Sequence, residues 1–453
     1  MKLFEKSPPA SPLNDALASA AGASTASPAS KAEKTPDFCD LSQFDKSALL
    51  HFEPREIEKK NPCEVIPLLL TQLLPKPQCD ALYKSFLFGV HPVVPLIHPP
   101  TFAKEYNAFW SWFPENIRDM PNAELLDNQG LLPLLMSVLY AGSISMSSQA
   151  ITELTGQTKE KITSTFYSAT MNSLAATAFP RSPTLSSLIA FLIVQTCLIR
   201  EEEPLTSCSF VGMAMRVAQS MGLHRDGSLF GLNEVECEIR RRVWWHIVYL
   251  DVQGAIATGL PPLGGSGEDL YDTKMVSELK DEFIGNPDGA AAAAQRESPE
   301  GDEPHMCKSF LDDSPNSPAM ILAAGRYDTT ILLRKIITRL FSIKPSQKTD
   351  LLEMRKSICA LKSRLEEKIA KIPARGIPEL GFTPPLDQKV CTLLKSDERF
   401  ASDQRFSDTE RSIVFNGWAR IMLSMFSDRA FGVLYQPFLK SSKSRLWDHA
   451  RQW

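Results

Sequence analysis

"RRRVWWHIVYLDVQGAIATGLPP", residues 240–262, sets three arginines against a nearly unbroken apolar run and closes on a glycine and two prolines. It reads as a basic hook for nucleic acid, as a membrane segment, or as the middle of a buried helix. The start of the helix decides between them. Asn233 is a fitting N-cap with Glu236 three residues on, a close relative of the capping box. Arg240, Arg241 and Arg242 then fall in the second and third turns. Glu236 precedes Arg240 by four residues and Glu238 precedes Arg242 by four, the favourable order for pairing along a helix. From Val243 to Ile256 apolar side chains cover nearly the whole circumference, and a helix of that kind, too short for a bilayer, is buried in a large protein. Gly259, Pro261 and Pro262 end it, because proline cannot continue the hydrogen-bond ladder. The stretch therefore reads as a central core helix whose arginines are salt-bridged rather than offered to phosphate.

Helical spacing extends in both directions. Phe210, Ala214, Val217 and Met221 line one face of the preceding helix, Gly222 supplies the left-handed residue that ends it, and Leu223 folds back on its last turn. Further upstream come "EVIPLLLTQLL", "CDALYKSFLFGVHPVVPLIH" and "TFAKEYNAFWSWF", the last capped by Thr101, then patterns near 130–149, 155–178 and 184–200. Downstream, Leu333, Ile336, Ile337, Leu340 and Phe341 share a face. Leu351, Met354, Ile358, Leu361, Leu365, Ile369 and Ile372 form a clean stripe, and a final helix covers about 409–435. Alternating strand patterns and fixed-period repeats are absent, so the fold class is all-α, a large multi-helix domain. Residues 8–36 are Ser, Ala and Pro with few large apolar side chains, and the N-terminal region 1–60 is expected to be disordered. The helical domain begins in 61–262, is interrupted by a flexible acidic insertion at 263–318, and resumes in 319–453.

A net charge of -4 and a pI near 6.1 exclude a surface built as a whole to neutralise phosphates. The nine cysteines stand singly without a C-x-x-C pair, which reads as reduced thiols and no structural zinc. "MKLFEKSPPASP" lacks the apolar core of a signal peptide, and no apolar run of about eighteen residues exists to span a membrane.

Candidate chemistry is sparse. His91 and His98 stand seven apart among prolines and read as packing histidines. Asp251, a lone acid on an apolar helix, is expected to pair with an arginine in the core. "GLHRDG", residues 222–227, reads as a helix end and turn, with no Ser or Cys set to pair with His224. "PLGGSGED" lacks the strand and lysine of a phosphate loop and the G-x-S-x-G of a hydrolase elbow. "FLDDSPNSP" brings Asp312, Asp313 and Asn316 into a pattern similar to the magnesium-binding motif of terpene synthases, but Pro315 and Pro318 interrupt the helix such a motif needs. A magnesium-dependent prenyl-diphosphate enzyme is thus the least favoured alternative. No enzyme is expected, and no catalytic, cofactor-binding or metal residue is assigned.

The run from Gly212 to Pro262 resembles the signature of the fungal-specific transcription factor domain, the middle homology region of binuclear zinc-cluster transcription factors. The matching residues are Gly222, Leu223, His224 and Arg225, then Glu238, Arg241, Arg242, Trp244, Trp245, Leu250, Asp251, Gly259 and Pro261. "YKSFLFGVHPVVPLIHPPTFAKEY" and "FGVLYQPFL" are similar to the family's early and late segments, so the resemblance covers about 65–440. It implies an all-helical regulatory domain whose signature residues are structural. It also implies a zinc cluster held by six cysteines, but those ligands are absent from this chain, so no cofactor is expected in it. The implied function is nuclear transcription regulation, with shuttling to the cytoplasm, of a metabolic or biosynthetic gene cluster. DNA would be reached through a DNA-bound transcription factor, a coactivator or a homodimer rather than directly, with a small-molecule effector as a further partner and no membrane. The alternative is a truncated product of a full DNA-binding factor. The acidic segment 268–313 reads as a solvated loop, with weak coactivator contacts as its functional alternative.

Overall fold

Local capping sets where the helices begin. Ser147, Thr158, Thr184, Asn233 and Ser317 each accept a backbone N–H from the first turn that follows, satisfying donors the helix itself leaves open. The computed structural model describes residues 62–113, 130–199, 204–263, 271–286, 315–342, 347–373 and 408–439. The tail 1–60, Asp312 and Asp313 lie outside the described residues. All of those described fall in one compact unit, Glu53–Trp453.

The helices are α1 (Pro62–Leu70), α2 (Lys76–Gly89), α3 (Pro99–Trp112), α4 (Leu131–Ser145), α5 (Ser148–Thr155) and α6 (Lys159–Ala176). They continue with α7 (Leu185–Leu198), α8 (Pro204–Ser220), α9 (Glu234–Thr258), α10 (Pro318–Leu340), α11 (Lys348–Lys371) and α12 (Asp408–Leu439). Among the described residues there is no strand, only an isolated antiparallel bridge between Leu279 and Asn316, and no helix is long and apolar enough to cross a membrane. The all-α expectation holds. Two helices start differently from their sequence reading. Thr101 lies inside the first turn of α3, where it meets the N-cap residue His98, and the pattern near 130–149 is broken at Met146 into α4 and α5.

α4 is buried from Leu131 to Ser143 almost without interruption and packs against α2, α6 and α7. Its serines do not open this core to water, because Ser137 and Ser143 donate to carbonyls of their own helix, Leu134 and Tyr140. α2 approaches closely where Gly142 faces the Leu82 carbonyl; a Cβ there would stand 2.1 Å from that oxygen. α10, α11 and α12 pack together as a second group with its own apolar core. In α11, Leu351, Ile358, Leu361 and Leu365 are buried while the opposite side is solvated, which is the stripe the sequence displays.

α9 and α10 join the two halves. Val243, Trp244, Trp245, Ile247, Val248 and Leu250 belong to the first core, whereas Val252 and Ala255, one turn on, belong to the second. On α10, Ala323, Ala324 and Tyr327 face the first core, and Ile321, Leu333, Ile336 and Ile337 face the second. A helix shared by two cores must be apolar all round, which accounts for the opening stretch.

Candidate functional site

α9 begins at Asn233, whose Oδ1 accepts the Glu236 N–H at 2.8 Å, and ends at Gly259 with φ +73°. Three segments converge on its first half: the turn after α8, residues 91–98, and an extended strap, residues 271–286. The turn starts with Gly222 at φ +75°, a conformation glycine adopts without Cβ strain, and the Leu223 N–H returns to the Ala218 carbonyl at 2.9 Å.

The three arginines each take a different partner. Arg240 Nη1 donates to the Met221 carbonyl at 3.2 Å, serving the end of α8 rather than pairing with Glu236. Arg241 forks onto Asp226, Nε to Oδ2 and Nη2 to Oδ1, both at 2.8 Å. Arg242, wholly buried, donates Nε to Glu238 at 3.0 Å, Nη1 to the Ile97 carbonyl at 3.1 Å and Nη2 to Asp281 at 2.6 Å. The expected Glu238–Arg242 pair therefore forms, and no face of Arg242 is left for a phosphate.

The acids that answer these arginines carry the strap. Asp226 also accepts the Ser228 N–H and hydroxyl and the Lys274 N–H; the Arg241 guanidinium outweighs burial and holds its carboxyl far below the usual range. Both Glu238 oxygens accept the Ser277 N–H, at 3.2 and 3.1 Å. Burial pushes the Asp281 pKa upward, but His91 and Arg242 overcome it and bring it down to about 2. Asp272 accepts from Arg225 Nε at 2.7 Å and from the Asp226 N–H at 2.8 Å, while its own N–H donates to the His224 carbonyl. Thr273 donates to the Leu223 carbonyl, and Trp245 Nε1 to the Lys274 carbonyl, both at 2.8 Å. Trp244 lies between the rings of His224 and Tyr271. The strap is thus held at residues 272, 273, 274, 277 and 281, within the insertion read from composition as flexible. Small and acidic residues there satisfy α9 instead of solvent.

At the other end of α9, Asp251 accepts the Leu263 N–H on both oxygens, at 3.1 and 3.0 Å, and so closes the turn that carries Gly259 and Pro261. Arg334 donates to the Leu263 carbonyl. The expected arginine partner is therefore a neighbour bound to the same turn, not the primary contact. Burial raises the Asp251 pKa to about 6 against the opposing pull of Leu263 and Arg334. His98 bridges the Thr101 hydroxyl and the Asp281 carbonyl, and His91 Nε2 stands 3.7 Å from the Asp281 carboxylate.

Sequence reasoning grouped Gly222, Leu223, His224, Arg225, Arg241, Arg242, Trp244, Trp245, Asp251, Gly259 and Pro261. The structure brings all of them to α9 or its two terminal turns. It adds Asp226, Asp272 and Asp281. Asp226 sits in "GLHRDG", 15 residues before the Arg241 it pairs with, whereas nothing local marks Asp281, 39 residues beyond Arg242.

A family model described as the fungal specific transcription factor domain matches residues 83–366. A "Transcription factor macR" of Penicillium terrestre is 34% identical over 387 residues, covering 85% of this chain and 43% of that protein. A "Transcription factor yanR" of Aspergillus niger is 37% identical over 331 residues, 72% of this chain and 39% of the other. A "Pyriculol/pyriculariol biosynthesis cluster transcription factor 1" of Pyricularia oryzae is 27% identical over 222 residues, 48% of this chain and 27% of the relative. The chain thus spans less than half the length of these relatives. No solved structure matches.

Proposed function

The chain belongs to the family of the fungal specific transcription factor domain, and from that premise we propose that it is the helical regulatory region of a nuclear transcription regulator. The family is one of transcription factors, not of enzymes. The observation that carries the reading is the match over residues 83–366, which takes in the whole arginine clamp of α9 together with the strap. In this reading the signature residues position main chain: Arg241, Arg242 and Trp245 fix the strap, Gly222 to Arg225 shape its seat, and Asp251 closes the turn of Gly259 and Pro261.

The regulated genes form a biosynthetic or metabolic cluster, a reading supported by the relative named for such a cluster. Contact with DNA comes through a DNA-bound protein, and the helical region supplies coactivator or homodimer contacts. Chromatin immunoprecipitation of the chromosomally tagged protein, with its transcript sequenced in parallel, tests this. Discrete promoter enrichment supports it; enrichment that survives loss of every interacting factor assigns DNA contact to the protein itself. A second measurement tethers residues 62–439 to an unrelated DNA-binding domain. An unchanged reporter, together with no promoter enrichment, would refute the regulator reading.

A further inference from the structure

α12 buries one side of its length against α10 and α11, through Ala419, Leu423, Phe426, Ala430 and Leu434. On a helix that serves a single core the opposite side is polar. Here it is apolar. Val414 is 36% exposed, Trp418 39% and Met425 54%, and Ile421 is half-buried among them. Steps of four, three and four residues set the four side chains in one line along the helix, away from the buried side.

The line extends as a heptad and complements its own reverse. Arg411 stands three residues before Val414, and Asp428 three after Met425, so the a/d spacing of a coiled-coil seam runs unbroken from Arg411 to Asp428. Reversed about the point midway between Ala419 and Arg420, the sequence sets Val414 opposite Met425, Trp418 opposite Ile421 and Arg411 opposite Asp428. Apolar meets apolar in the middle, and a cation meets an anion at each end. A parallel register would instead stack Arg411 on Arg411 and Asp428 on Asp428, and such like-charge contacts repel. Asp428 is exposed, and among the described residues no cation pairs with it. Gly417 and Ser424, which flank one side of the line, are small enough for a second helix to come close.

We propose that this face of α12 joins two copies of the chain as an antiparallel helix pair, with a twofold axis passing between Ala419 and Arg420. A twofold interface requires that if one residue meets a second, the second meets the first, and the reversed complementarity of the line supplies that for every pair. A partner of other sequence would have no need of it. The seam is about 27 Å long, and its area falls below the roughly 1,200 Å² of a standard interface, so the dimer is weak, with Kd on the order of 10 μM. The inference rests on the regulatory reading for its purpose, and gives the homodimer contact of that reading a face and a register.

Sedimentation equilibrium of the purified full chain, from about 1 to about 100 μM, reads the association directly. Dimer is expected to replace monomer across that range. Trp418→Glu and Met425→Glu, both at exposed positions, should each raise Kd at least about tenfold and leave the monomer folded; if one of them fails to fold, the other carries the comparison. Asp428→Arg sets like charges at both ends of the seam and should weaken the dimer about tenfold, more at low salt than at high. Adding Arg411→Asp to it restores opposite charges in the antiparallel register alone, and should bring Kd back to within about twofold of the parent. A chain that stays monomeric at the highest concentration overturns the proposal and leaves another segment of the same chain to cover the face. A dimer that neither glutamate variant weakens, or a charge swap that restores nothing, overturns it equally. A dimer without a reporter response leaves the interface standing and counts against the regulator reading; a reporter response from a monomeric chain does the reverse.

Discussion

Arg241 and Asp226 meet through two parallel hydrogen bonds of 2.8 Å, with Asp226 only 1% exposed. The same carboxylate holds Ser228 in the turn after α8 and Lys274 in the strap, so one acid ties three segments together. Charge alone does not maintain this arrangement; the planar fork does.

Arg241→Lys is accordingly expected to lower unfolding stability by about 1 kcal/mol through loss of the second hydrogen bond. Arg241→Ala should cost about 2–3 kcal/mol, because it leaves the buried Asp226 with only the exposed Lys274 ammonium, 3.9 Å away, as a cation. Urea denaturation with equal m-values measures both. A lysine variant as damaging as the alanine variant would show that charge, not geometry, holds the turn.

Arg242 carries the larger effect. Arg242→Met strands Glu238 and Asp281 without their cation and is expected to cost about 3–5 kcal/mol. Adding Glu238→Gln and Asp281→Asn to it should recover part of the loss, since the stranded charges go with it. The coupling is read from a mutant cycle. Strict additivity of the three substitutions would mean that the buried triad does not act as a unit.

The core helix was legible because burial on all sides leaves an unmistakable composition from Val243 to Ile256, and its caps are local chemistry: Asn233 before it and Gly259 after it. The Glu238–Arg242 pair was legible for the same reason, at one helical turn. Asp281 was not, because its partner lies 39 residues away and its neighbourhood has the small, acidic composition of a solvated loop. Composition reports how much apolar surface a segment can bury, not whether its backbone is wanted elsewhere. Asp251 illustrates the same limit: a buried acid signals a partner, but its partner is the Leu263 amide, a main-chain group that no side-chain pattern announces.

Trp245→Phe tests the anchor of the strap. It removes the bond from Nε1 to the Lys274 carbonyl and, at a buried position, part of the ring volume as well, so the cost should exceed the ~1 kcal/mol of the hydrogen bond alone. Hydrogen exchange should quicken at Lys274 and Ser277, whose amides donate to Asp226 and Glu238, while α4 is unaffected. Uniform acceleration across α4 as well would assign Trp245 to global packing instead.

Two glycines separate close approach from mere helix content. Gly142→Ala would place a methyl group 2.1 Å from the Leu82 carbonyl oxygen, main chain that cannot swing aside, and should cost about 1–3 kcal/mol as α2 and α4 part. Gly432 on α12 has nothing within 4 Å of the same added carbon, so Gly432→Ala should stabilise by up to about 1 kcal/mol through helix propensity. Thermal unfolding of the two variants should move in opposite directions; movement in the same direction would contradict the packing of α2 on α4.

Asp251 and Asp281 give stability opposite dependences on pH. The folded pKa of Asp281 is lowered to about 2, so its contribution is present above the ordinary aspartate value of 3.8 and disappears as pH falls toward 2. That of Asp251 is raised from 3.8 to about 6, so the folded state binds its proton more tightly than the unfolded chain, and the associated stability is complete below pH 3.8 and lost as pH rises through 6. Asp251→Asn removes this dependence while keeping an oxygen for the Leu263 N–H and leaving Asp281 untouched. The stability of the variant relative to the parent should therefore climb by on the order of 3 kcal/mol between pH 4 and pH 7. Urea midpoints across that range measure the difference directly. A flat difference would mean that Asp251 is ionised at no cost in the folded protein, and that the Leu263 amide together with Arg334 fully offsets its burial.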